Sequence, residues 1–87
     1  MSAHEIHEQV NKEIDDLLVT IYLVRDNAEL VERLFAQLVN SLVELAFVET
    51  HLEFASGVID LRVYQDETST LNRQCQEMGL PYKSRGV

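Results

Sequence analysis

Eighty-seven residues and 10.0 kDa suffice for one small domain and leave no room for a second. Fifteen acidic against seven basic residues give a net charge of −8, which repels nucleic-acid phosphates and argues against that class of partner. At 46% apolar the chain is not a disordered tail, and its single cysteine, Cys75, permits no internal disulfide and no paired-cysteine metal motif, so oligomerisation is the expected support for a thin core.

The charge is uneven. Residues 1–67 hold fourteen acids and four bases, a net of −10, whereas residues 68–87 hold one acid and three bases, a net of +2. Met1 to Glu5 has no basic region followed by an apolar run, and the expected compartment is the cytoplasm. The most apolar stretch, Leu34 to Val48, is interrupted by Gln37, Asn40, Ser41 and Glu44, so no membrane-spanning helix is expected. The first glycine is Gly57 and the only proline is Pro81. A long run free of both breakers predicts an all-α chain.

The first helix is predicted over about 4–25. Val10, Ile14, Leu17, Ile21 and Val24 recur in steps of four, three, four and three, and Leu18 and Tyr22 widen the stripe. His4 and His7 share a helix side with Glu8, but a helix end with two histidines lacks the further ligands a metal needs. Arg25-Asp26-Asn27 is the most polar triplet of this half. Asp26 with Glu29 has the form of a capping box, and Arg25 suits the last turn of the helix before it. The rival is one unbroken helix over 4–65, roughly 90 Å long.

The second helix is predicted over about 27–64. Its broad frame runs through Ala28, Val31, Phe35, Leu38, Leu42 and Leu45. A narrower seam comprises Val31, Leu34, Leu38, Ser41, Leu45, Val48, Leu52, Ala55 and Ile59. Phe47, Phe54 and Leu61 form a separate stripe at seven-residue spacing, on another side of the same helix. A helix apolar on two sides must be covered twice, so this stripe is the expected interaction surface, with Glu49 and Glu53 beside it in an acidic ridge that Asp60 extends. Residues 57–64 also fit a short strand by their β-branched content, but no partner strand exists elsewhere in the chain.

His51 lies in mid-helix with Glu44 seven residues before it. Val48 stands where a Glu-x-x-His di-iron motif needs its glutamate. Thr50-His51-Leu52-Glu53 is similar to phosphoacceptor segments of histidine phosphotransfer and kinase-dimerisation helices, although the basic or small neighbours of those segments are missing. The resemblance implies a phosphoacceptor role for His51, and its imidazole is separately a candidate metal ligand.

Residues 65–70 read as a turn or cap. A third helix is predicted over 69–78, with Leu71, Cys75 and Met78 on one face and Gly79 and Pro81 as its stop. Residues 79–87, with Tyr82, Lys83 and Arg85, read as a flexible tail. Glycine-rich phosphate loops, nucleophile elbows and zinc motifs are absent from the sequence.

The sequence therefore predicts an all-α fold: a long antiparallel helical hairpin with a short C-terminal helix, assembling into a homo-oligomeric bundle, first of all a dimer. The expected function is non-catalytic: an adaptor, chaperone-like or regulatory protein that binds a protein partner through Phe47, Phe54, Leu61, Glu49 and Glu53. No cofactor, metal, nucleic acid or membrane is expected. The alternative is phosphotransfer or metal binding through His51.

Overall fold

The computed structural model describes residues 2–79, and these are all-helical apart from short connections. The order is α1 (Ala3–Leu23), α2 (Ala28–Ala55) and α3 (Leu61–Met78). The described chain is elongated, 46 × 28 × 18 Å.

Each helix begins on a side chain that accepts from an otherwise unpaired N–H of the first turn. The Ser2 hydroxyl takes the Glu5 N–H at 3.2 Å, the Asn27 amide oxygen the Leu30 N–H at 3.2 Å, and the Asp60 carboxylate the Val63 N–H at 2.9 Å. The cap of α2 is thus Asn27, one residue after the expected Asp26. Arg25 falls two residues beyond α1 and still serves its C-terminus, because its guanidinium donates to the Tyr22 carbonyl at 2.8 Å. Residues 24–27 break the chain here, so the unbroken 4–65 helix is excluded.

The helix expected over 27–64 ends instead at Ala55. Gly57 adopts φ +80°, a left-handed conformation that costs an L side chain about 1–2 kcal/mol. The Gly57 N–H reaches the Phe54 carbonyl at 3.1 Å and the Val58 N–H the Glu53 carbonyl at 2.9 Å. This paired pattern closes a helix C-terminus in a Schellman motif. Asp60 then starts α3, so Leu61 to Tyr64 are the first turn of a new helix, neither strand nor the end of the second helix.

The turn expected at 65–70 is the middle of α3. Thr68 donates its hydroxyl to the Tyr64 carbonyl at 2.9 Å, and Thr70 donates to the Asp66 carbonyl at 2.9 Å. These hydroxyls bond back along the helix instead of breaking it. Tyr64, Thr68, Leu71 and Cys75, spaced four, three and four, form the covered side of α3. The flexible tail expected over 79–87 lies, except for Gly79, outside the described residues. Replacing the cap Asp60→Ala should lower stability by about 1 kcal/mol, read as a reduced urea midpoint with unchanged slope.

The core joins α1 to α2. Ile6, Val10, Ile14, Leu38 and Val48 are buried together, with Leu17, Ile21, Leu45 and Leu52 packed around them. Of the narrower seam, Leu38 and Val48 are buried and Leu45 and Leu52 pack beside them, whereas Ala55 is exposed and Ile59 lies in the connection after α2. Phe35 and Leu42, members of the broad frame, stay exposed. Ile6 extends the α1 line one turn before Val10. His7, early in α1, meets Glu49, late in α2, while Leu17 and Thr20 share a surface hollow with Gln37 and Ser41. Helix α3 packs on α2 alone.

Candidate functional site: a carboxylate-walled cleft between α2 and α3

The residues singled out on α2 divide between two surroundings. Phe54 is half-buried and stacks on Tyr64 of α3, with ring centroids 4.7 Å apart and planes inclined by 26°. Tyr64 also meets the edge of His51 at 6.2 Å. The apolar side of α2 near its C-terminus is thus covered from within the chain by the first turn of α3. Phe47 is half-buried one heptad earlier. Leu61 does not belong to this line at all: it opens α3 and is exposed, because the chain has turned at Gly57.

Glu49 and Glu53 are one helical turn apart and exposed. What the sequence left unseen is what faces them. Across a cleft of about 380 Å³ stand Asp66, Glu67, Thr70 and Leu71 of α3, while Ala46 and Thr50 complete the α2 wall. Four carboxylates and no basic side chain line this space. Leu71 and Ala46 are half-buried and give it an apolar part, and Thr50 is buried with its hydroxyl spent on the Ala46 carbonyl at 2.9 Å. The signal that would have found the α3 wall was the Tyr64-Thr68-Leu71-Cys75 spacing; once residues 65–70 are helical, Asp66 and Thr70 fall one turn apart on one side.

His7 ties the cleft to α1. Asn11 donates its side-chain N–H to Nδ1 of His7 at 3.2 Å. The other ring nitrogen, Nε2, faces the Glu49 carboxylate 3.4 Å away. The ring holds one edge of Glu49 while the rest of that side chain stays open to solvent. His4 takes no part and is exposed.

His51 is half-buried, and its Nδ1 is enclosed without a hydrogen-bond partner. Among the described residues no three His, Cys, Asp or Glu side chains come together in a group able to hold a metal ion. Cys75 is a free, buried thiol on α3. Among the described residues no helix is long and apolar enough to cross a membrane.

The chemistry open to this arrangement is electrostatic. Exposed carboxylates on two helices, one turn apart on α2 and adjacent in the chain on α3, create a negative field focused between low-dielectric walls. Such a groove accepts ammonium or guanidinium groups, and its apolar part accepts the aliphatic stems that carry them. No family model, no curated protein and no solved structure matches the chain.

Proposed function

We propose that this chain is a non-catalytic binding protein that docks a basic segment of a protein partner in the cleft between α2 and α3. The observation that carries the reading is the cleft itself: Glu49 and Glu53 on one wall, Asp66 and Glu67 on the other, and no basic side chain between them. The net charge of −8 adds a long-range field of the same sign, which speeds encounter with a cationic partner. In this reading the carboxylates hold lysine or arginine heads, Leu71 and Ala46 take their stems, and the Phe54–Tyr64 stack holds the two walls together from behind.

The wider proposal is a cytoplasmic adaptor, chaperone-like or regulatory protein. Its α1 and α2 form an antiparallel hairpin, a reading supported by the meeting of His7 with Glu49, and it associates with copies of itself. The His51 alternative gains no support from an Nδ1 that is enclosed beside Tyr64.

The test is a titration of the isotope-labelled protein with a lysine- and arginine-rich amphipathic peptide, followed by amide shifts. Shifts should concentrate at residues 46–53 and 66–71. Affinity should fall steeply as salt is raised from about 0.05 to 0.5 M, because screening shortens the reach of exposed charges. The double reversal Glu53→Lys with Glu67→Lys should weaken binding at least tenfold. Peptide binding that ignores both salt and these two reversals would remove the cleft from consideration.

A further inference from the structure

Beyond the cleft, the hairpin carries apolar side chains, from one turn before Ala46 to the end of α1, that no helix among the described residues covers. Leu18, Tyr22, Phe35 and Leu42 are each between 47% and 64% exposed. Leu18 and Tyr22 lie one turn apart on α1; Phe35 and Leu42 lie two turns apart on α2. Measured from the buried Ile14 and Leu38, all four are displaced by roughly 40–80° in the same rotational sense at 100° per residue. In an antiparallel pair, equal turns of the same sense bring both helices to the same side. The contacts of His7 with Glu49, and of Leu17 and Thr20 beside Gln37 and Ser41, set Tyr22 across from about Phe35. The four side chains therefore form one face of the hairpin. Val19 and Leu23, also exposed, continue around the end of α1.

We infer that this face is the contact between two copies of the chain. Three observations favour a second copy over any other occupant. The first is area. With about 200 Å² for each of the two aromatic residues and somewhat less for each leucine, the four residues at these exposures leave roughly 400 Å² bare. A standard interface of about 800 Å² per partner, about 65% apolar in homodimers, needs close to that amount from each copy. The second is stability. Among the described residues only Ile6, Val10, Ile14, Leu38, Val48 and Cys75 are buried apolar side chains, and no disulfide supports them. A chain with so small a core is marginal alone and gains stability from a cover, and the one protein always present with it is another copy. The third is charge. The face is not ringed by acid alone, because the Arg25 guanidinium lies over the Tyr22 ring at 4.4 Å. A purely basic partner, suited to the cleft, is not suited here. The inference rests on the hairpin and self-association part of the reading above and not on the cleft.

The deciding experiment is light scattering of the full chain across a dilution series, with circular dichroism as the check on folding. The wild type should give twice the 10.0 kDa of one chain. Phe35→Glu and Leu42→Glu, both at exposed positions, should give the mass of one chain with the helical signal kept at low temperature. Leu61→Glu, exposed on α3, should leave the dimer intact. A wild type of single-chain mass at every concentration overturns the inference, whether residues 80–87 or another protein prove to cover the face. A dimer that survives both Phe35→Glu and Leu42→Glu overturns the placement. Peptide uptake by the monomeric Phe35→Glu variant separates the two proposals, since Phe35 lies three turns before Ala46, the first cleft residue on α2.

Discussion

A Val48→Asp substitution should leave the chain without a cooperative fold. Val48 is 1% exposed and packs among Ile6, Val10, Ile14 and Leu38, with no cation in that group. An ionised carboxylate placed there loses its hydration and gains no partner, and even its protonated form is a buried polar group without a hydrogen bond. The penalty is several kcal/mol, against a total stability of roughly 5–10 kcal/mol for a domain of this size. Circular dichroism should show the helical signal largely lost at 25 °C, with no sigmoidal urea transition. The milder Val48→Ala removes only the side-chain methyl groups and should cost about 2 kcal/mol. That variant stays folded and moves the urea midpoint down. An intact, cooperative Val48→Asp protein would show that the α1–α2 seam is not the core.

The second large effect is expected at Tyr64. Helix α3 touches only α2, and its first turn is fastened by the Tyr64 ring on Phe54, with His51 at the edge. A full aromatic-to-Ala deletion in a core costs about 3–5 kcal/mol; for the half-buried Tyr64 the figure is about 2–3 kcal/mol, of which the stack supplies roughly 0.5–1.5 kcal/mol. A local cost of that size is felt first by the element with least burial, because helices can open locally without global unfolding. Tyr64→Ala should therefore release α3 while α1 and α2 stay paired. Hydrogen exchange reads this directly: the amides of residues 65–76 should lose protection, and those of residues 10–14 and 38–48 should keep theirs. The same variant should take up the basic peptide at least tenfold more weakly, since one wall of the cleft is then no longer held. Unchanged protection in α3 would mean that Leu71 and Cys75, not the aromatic stack, carry that contact.

These two positions also mark what was legible beforehand. Val48 belongs to the line Val31, Leu34, Leu38, Leu45, Val48 and Leu52, whose helical spacing is strong over many turns. Its partner line, Val10, Ile14, Leu17 and Ile21, is equally regular. Two such stripes joined by a polar triplet leave few ways to bury both; the all-helical character follows from that, while the choice between the two apolar lines of α2 does not. Tyr64 was not legible in the same way. Its role depends on where the chain turns, and the turn depends on the left-handed Gly57 and the capping Asp60, a local contest in which apolar spacing has no vote. Val58 and Ile59 fit the periodic pattern and still lie in the connection, because the Schellman closure satisfies the carbonyls of Glu53 and Phe54 where continued helix would have done so otherwise.

By itself the sequence determined two things about this protein: that it is helical and that its net charge is strongly negative, −8. The first is a property of residues near one another along the chain and the second of composition, and both act without knowledge of the rest. Only the tertiary structure decided that α3 begins at Leu61, that it folds over Phe54, and that Asp66 and Glu67 stand opposite Glu49 and Glu53. It also decided that Phe35 and Leu42 are bare. An apolar residue on a helix states that it must be covered and not by what; the supply of covering helix is limited by length, and α3, 18 residues long, lies over only part of the 28 residues of α2. The face left over, and the cleft formed beside the covered part, are consequences of that mismatch in length.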